Sequence, residues 1–169
     1  MDQSNDEGAG MQISSESRNV LELFPISGNI CYRIPPYQRG YSWRDEQIEQ
    51  LFDDIRNEGS GYYAGNILLT GDTDSLSVID GQQRLTTISL MLLAIGEKLI
   101  PFSTIEAAIV LKGDIKRQLF NSNNEPRIQL LDQDQKIYVD LLGSLFDKHR
   151  KKWGNRSFYK RYRFIRGLL

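Results

Sequence analysis

Cysteine and histidine are all but absent from this chain: Cys31 and His149 are the single examples of each in 169 residues. One of each cannot complete a structural zinc site, which takes four nitrogen or sulfur ligands, nor a histidine-rich metal nuclease centre. A Cys31–His149 nucleophile pair is available on paper. Cys31, however, stands in the strand-like run Asn29–Ile34, where a packed core thiol is the ordinary outcome. A single thiol closes no internal disulfide, which fits a reducing cytoplasm. There is no Gly-x-x-x-x-Gly-Lys loop, so the chain is not a P-loop enzyme. No apolar run approaches the ~20 residues of a membrane helix. The longest, Leu85 to Ile100, is interrupted by Thr86, Thr87, Ser89 and Glu97. The first residues, Met-Asp-Gln-Ser-Asn-Asp-Glu-Gly, are acidic and carry no secretory apolar stretch. A cytoplasmic protein without a membrane partner is expected, and any DNA-cutting centre would belong to another domain or chain.

What is present suits one ordinary domain: 40% of the residues are hydrophobic, enough for a core of its own. The net charge of −1 conceals an asymmetry. Nine cations and no carboxylate follow Asp147, leaving 12 of the 21 cations against all 22 carboxylates in residues 1–147, a balance of −10. A basic tail on an acidic body is a candidate nucleic-acid surface. Lys151, Lys152, Arg156, Lys160 and Arg163 are expected on one solvated face, opposite Phe158, Tyr162 and Ile165. That face suits DNA phosphates or an acidic partner domain, and the interleaved aromatics read as packing.

Along the chain, residues 1–12 read as disordered. Arg18–Phe24 reads as a short helix and Asn29–Ile34 as a strand stopped by Pro35-Pro36. Ser42-Trp43-Arg44-Asp45 has capping-box form before a helix with Ile48, Leu51, Phe52 and Ile55 on one face. Tyr62–Leu69 reads as a strand with a possible bulge at Gly65. Thr70–Ser75 is then a turn and Leu76–Ile79 the returning strand. The next helix, from Gln82, should bury Leu85, Ile88, Leu92 and Ile95 and end at Pro101. Ser103–Phe120 reads as a helix broken at Gly113, and Pro126–Leu131 as a short extended segment. Asp132 is placed to cap a helix carrying Ile137, Leu141, Leu145 and Phe146. The expected class is α/β (α+β): a small mixed sheet with packed helices over residues 13–100, then a mostly helical portion over 101–169. The uncapped final stripe suggests a fragment of a longer protein.

The corner at Asp80-Gly81-Gln82-Gln83-Arg84 carries the most chemistry. A strand ends there and a helix opens at once, and a helix's first turn offers unpaired N–H groups and partial positive charge to a phosphate. Gly81 permits close approach or positive φ, Arg84 supplies a fixed cation, and Gln82 and Gln83 add neutral donors and acceptors. Asp80 could orient water, hold Mg2+ or accept from a nucleotide hydroxyl; its plain alternative is an N-cap. The hydroxyls of Thr86 and Thr87 could reach a phosphate or bond back to the helix carbonyls.

A second segment, Arg33-Ile-Pro-Pro-Tyr-Gln-Arg-Gly-Tyr-Ser-Trp43, sets three aromatics beside an arginine. Gln38 and Arg39 follow the double proline, which pre-sets an extended backbone. Arg39 is a phosphate contact or an ion pair with Asp53 or Asp54. Tyr37, Tyr41 and Trp43 could stack a base or line a pocket for a modified DNA group, or pack the corner.

Together with Ile79-Asp-Gly-Gln-Gln-Arg-Leu-Thr-Thr87, this segment closely resembles the N-terminal domain of GmrSD-type modification-dependent restriction enzymes. Asp53-Asp54-Ile55, Tyr62-Tyr63-Ala64-Gly65-Asn66-Ile67 and Glu125-Pro126-Arg127-Ile128-Gln129-Leu130 extend the likeness over roughly residues 14–169. The resemblance implies a ParB/sulfiredoxin-like nucleotide-binding fold in a bacterial or archaeal anti-phage system. It implies GTP or ATP with Mg2+ as ligand, and Asp80 and Arg84 as catalytic residues. Gly81, Gln82, Gln83, Arg84, Arg39, Gln38 and Thr87 would contact the nucleotide, and Asp80 the metal. DNA, an HNH-type nuclease domain on the same or another chain, and a possible homo-oligomer are the implied partners. The rival readings are a non-catalytic DNA-recognition module using the same arginines, and a nucleotide-binding domain that has lost hydrolysis.

Overall fold

The computed structural model describes residues 14–59, 61–146, 151 and 153–169. The expectation of disorder over 1–12 and the sites His149 and Lys152 lie outside them. A one-turn helix, α1 (Val20–Leu23), is followed by β1 (Cys31–Arg33) and α2 (Asp45–Glu58). Next come the hairpin β2 (Leu68–Asp72) and β3 (Ser75–Asp80) and the long α3 (Gln82–Lys98). Then follow α4 (Glu106–Leu119), β4 (Ile128–Gln129), α5 (Asp132–Gly143) and α6 (Ser157–Leu168). The sheet runs β2-β3-β1-β4, with β1 parallel to both β3 and β4 and β2 antiparallel to β3. It is the small mixed sheet of the expected α/β class.

α3 sits at the centre. Leu85, Leu90, Leu93 and Ala94 are fully buried, while Leu92 and Ile95, expected inside, are only half-buried. An apolar run without a polar stripe belongs in a core. α4 packs on one side of it and α6 on another, and α6 also packs on α2. The core includes Ile115, Leu119, Tyr138, Leu141, Phe158 and Tyr162 as well as residues before 100. Cys31 is buried with its sulfur near the Pro126 carbonyl, and burial pushes its thiol up, which makes it inert.

Several local expectations are corrected. Residues 62–67 are not a strand, and β2 begins at Leu68. Gly65, at φ 93, lies outside the sheet, and the register shift falls between Leu68 and Leu69. The hairpin turn is only Thr73-Asp74. α2 is capped at Arg44, where Gln47 Oε1 accepts the Arg44 N–H at 2.8 Å, and Ser42 lies two residues before that cap. Asp132 does not cap α5; it lies inside the first turn at φ 37, and Gln135 accepts the Leu130 N–H at 2.8 Å. α4 continues through Gly113, because packing at Ile115 and Leu119 outweighs the ~1 kcal/mol a helical glycine costs.

Arg127, from the Glu-Pro-Arg-Ile-Gln-Leu stretch, is 1% exposed. Its guanidinium donates to the carbonyls of Ser27 (3.1 Å), Ile30 (3.1 Å) and Arg117 (3.4 Å). Arg117 lies in the last turn of α4, the negative end of the helix dipole, which suits a cation. The motif residue is thus a structural clamp between α4 and the chain entering β1.

Candidate functional site

β3 hands the chain to α3 through Gly81, which is the helix N-cap at φ 84, ψ 8. A Cβ there would stand 2.8 Å from the Asn66 carbonyl oxygen and 3.1 Å from Ile67 Cα. Both the left-handed conformation and the backbone behind it require glycine. Gly81 offers no side-chain cap, and the first intrahelical bond is Leu85 N–H to the Gly81 carbonyl at 3.0 Å. The Gln82, Gln83 and Arg84 amides therefore precede the helical ladder without a side-chain cap.

Asp80 is exposed at the end of β3, paired through its backbone with Leu68, and its carboxylate bonds to no other described residue, so the N-cap alternative is not realised. Arg84 Nη1 donates to the Asn66 carbonyl at 3.1 Å. The guanidinium lies against Gly65, where an added Cβ would sit 2.8 Å from Arg84 Cζ. Gly65 thus serves as a floor for Arg84. Arg39 is exposed, with no ion pair to Asp53 or Asp54; Asp54 accepts instead from Gln50 (2.6 Å) and from the Tyr62 hydroxyl (3.0 Å).

The two glutamines do other work. Gln83 Oε1 accepts the backbone N–H groups of Ser42 (2.8 Å) and Trp43 (3.2 Å), and its Nε2 donates to the Gly40 carbonyl at 3.2 Å. Gln82 Nε2 donates to Gln38 Oε1 at 3.1 Å, and Gln38 Nε2 donates to the Ile79 carbonyl at 2.8 Å. Thr87 is fully buried; its hydroxyl donates to the Gln83 carbonyl at 2.8 Å and meets the Tyr41 hydroxyl at 2.7 Å. The side chains of Gln82, Gln83, Gln38 and Thr87 thus tie the Pro-Tyr-Gln-Arg loop to α3, and of these four residues it is Gln82 and Gln83 whose backbone amides precede the helical ladder.

Tyr41 is built into that seam, its ring edge-on to Phe158 at 5.5 Å between centroids and its phenol held neutral by burial. Its backbone N–H donates to Asp134 Oδ2 at 2.8 Å, and burial raises the Asp134 carboxyl above the usual range. Trp43 packs against the core. Tyr37, 74% exposed, is the aromatic of this segment that faces solvent. The cleft between Arg39, Tyr41, Gln82, Gln83 and Asp134 measures about 10 Å3, room for roughly one water. A ligand on this corner rests on the surface.

On α6, Lys160 and Arg163 are exposed while Phe158, Tyr162 and Ile165 are buried, and Arg156 at its N-cap and Lys151 before it are exposed too. The expected two-faced helix is present. Arg161 and Arg166 instead pair with Asp45 and Glu97, which fixes α6 to α2 and α3. Sequence reasoning missed Asp134 and Arg127 as clamps. The Leu-rich spacing after Asp134 hints at its helix, but nothing local marks its partner, Tyr41.

The family described as GmrSD restriction endonuclease, N-terminal domain, matches residues 20–168. The chain belongs to this family. No curated protein matches it. Both motif segments and α6 fall inside the matched GmrSD range, so the seam between Gln83 and the 40–43 loop lies within the family's domain. The domain is thereby related to restriction of DNA. Among the described residues no helix is long and apolar enough to cross a membrane.

Proposed function

We propose that this domain binds a nucleoside triphosphate at the Asp80–Arg84 corner, hydrolyses it with Mg2+, and thereby regulates a partner nuclease that restricts modified DNA. The observation that carries this reading is the α3 N-terminus. It is capped by Gly81 alone, with exposed Asp80 just before it and Arg84 in its first turn. Phosphate oxygens accept from the amides of Gln82 and Gln83, and Arg84 supplies charge as the phosphoryl group is transferred. Arg39, exposed across the narrow cleft, is the second cation within this corner. One free carboxylate suits Mg2+, which takes one or two carboxylates and completes its shell with phosphates and waters. Among the described residues there is no group of three or more His, Cys, Asp or Glu able to hold a metal alone. The mixed sheet is compatible with a ParB/sulfiredoxin-like arrangement.

The exposed row of Lys151, Arg156, Lys160 and Arg163 supports a DNA contact as well. On the rival reading these cations and Arg84 grip phosphates and no turnover occurs. Nucleotide binding and phosphate release, measured with and without DNA, separate the two. Asp80→Asn should abolish Mg2+-dependent hydrolysis while most nucleotide affinity and thermal stability remain, since the Asp80 carboxylate bonds to no other described residue. Binding without turnover in the native chain, even with DNA and the nuclease partner present, makes the corner a sensor site. No binding at all removes the reading.

A further inference from the structure

We propose that Tyr63 and Asn66 form a nucleobase subsite beside the Asp80–Arg84 corner, where a triphosphate held by its phosphates stacks its base on the Tyr63 ring. The subsite rests on the nucleotide reading of that corner and adds to it a contact beyond the phosphates.

The chain leading into β2 runs behind the start of α3. The Asn66 carbonyl accepts from Arg84 Nη1 at 3.1 Å, and the same oxygen would stand 2.8 Å from a Cβ at Gly81. Asn66 therefore touches both the cation and the helix cap of the corner. Two residues on, Leu68 pairs with Asp80, which holds this segment against the end of β3.

Two neighbouring tyrosines in the segment have opposite surroundings. Tyr62 packs against the core and donates its hydroxyl to Asp54 of α2 at 3.0 Å. Tyr63 is 71% exposed, and among the described residues no other ring packs on it. A lone exposed ring is ordinary on a protein surface. This one is tethered: its hydroxyl donates to Asn66 Oδ1, so the residue that touches Arg84 and Gly81 also holds the ring. With Oδ1 so engaged, the Asn66 Nδ2 donors are left for an acceptor on the base or ribose.

The corner needs such a platform. Its cleft has room for roughly one water, so a base cannot be enclosed there. Arg84 and the first amides of α3 address phosphate oxygens and do not distinguish a nucleotide from bare polyphosphate. A base has a flat π-face that stacks on an open aromatic ring, whichever base it is.

Titration calorimetry with the β,γ-imido analogues of ATP and GTP, set against inorganic tripolyphosphate, tests this directly. The native chain should bind both analogues about ten-fold or more tightly than tripolyphosphate. Tyr63→Ala should remove that advantage, leaving tripolyphosphate affinity and the melting temperature unchanged, since the Asn66 carbonyl still holds Arg84. Tyr63→Phe keeps the ring and should retain most of the advantage. Affinity for duplex DNA should not change in either variant. Equal weakening of tripolyphosphate by Tyr63→Ala overturns the subsite, because the residue would then act only through the bed of Arg84. Unchanged affinity for the analogues, or a loss confined to DNA, also overturns it, while the phosphate corner stands. A native chain that binds neither the analogues nor tripolyphosphate overturns the corner and the subsite together.

Discussion

Gln83 accepts the backbone N–H of Ser42 at 2.8 Å, so a side chain from the first turn of α3 holds the loop that leads into α2. With Trp43 N–H on the same oxygen and the Gly40 carbonyl on its amide nitrogen, Gln83 acts as a piece of backbone supplied from another segment. The Arg33–Trp43 and Ile79–Thr87 segments are therefore one structural unit, and a change in either reaches the other.

Gln83→Ala should cost about 2–4 kcal/mol, because two N–H groups and a carbonyl lose their partner in a buried seam. Thermal melting should fall by roughly 5–15 °C. Gln83→Glu keeps the acceptor for Ser42 and Trp43 but sets a buried carboxylate oxygen against the Gly40 carbonyl, so it should lose less near pH 4 than at pH 8. A loss for Gln83→Glu that does not change with pH would show that this position is not desolvated.

The order of elements was legible in the sequence wherever apolar spacing and prolines act locally. The one-sided pattern of Ile48 and Leu51, the Pro35-Pro36 stop and the Gly81 corner all survive in the structure. The errors arise where a distant partner decides. Residues 62–67 look like a strand, but Gly65 and Asn66 serve as the bed for Arg84 instead. Nor does anything in the segment of Gln82, Gln83 and Thr87 show that residues 38–43 take up their side-chain hydrogen bonds. Arg127 gives no local sign of its role as a clamp, since its three carbonyl partners lie far along the chain or in the preceding helix.

Arg84→Ala should weaken triphosphate binding about ten-fold or more, since a hydrogen bond to a charged group contributes roughly 1.5–3 kcal/mol. Its bond to the Asn66 carbonyl is single and solvent-accessible, so the melting temperature should move by only a few degrees. Arg84→Lys should recover little, because a point charge does not reproduce the flat guanidinium over Gly65. Unchanged nucleotide affinity with a large melting loss would assign Arg84 to the loop alone.

Asp134 gives the fold a pH signature. Burial raises its carboxyl above 3.8, and the Tyr41 N–H only partly offsets this. Between 3.8 and the raised folded value, the native state binds more protons than the unfolded one. Asp134 therefore penalises folding progressively as pH rises through that window, and the penalty is absent below it. Asp134→Asn keeps an acceptor for Tyr41 and removes the charge. The stability of the native chain minus that of the variant, from urea melts at pH 3 to 8, should fall with rising pH and then level off. A difference that grows with pH would mean that the ionised form is favoured by a partner other than Tyr41.

The basic face of α6 and the solvent-facing Tyr37 should separate into two roles on DNA. Lys160→Glu combined with Arg163→Glu reverses two exposed charges opposite Phe158 and Tyr162, so the helix itself should remain folded. Affinity should drop for every DNA sequence alike, and the salt dependence should become shallower by about two units of slope. Discrimination between modified and plain DNA should survive, because phosphate contacts position a protein without specifying sequence. Tyr37→Ala should do the reverse, reducing discrimination with little change in salt slope, since its ring is 74% exposed and free to stack. Tyr41→Ala is the control: its hydroxyl is tied to Thr87 and its ring to Phe158, so it should lower the melting temperature first. Binding curves at several salt concentrations on matched modified and plain duplexes decide the matter. Discrimination lost through α6 and kept without Tyr37 would exchange the two assignments.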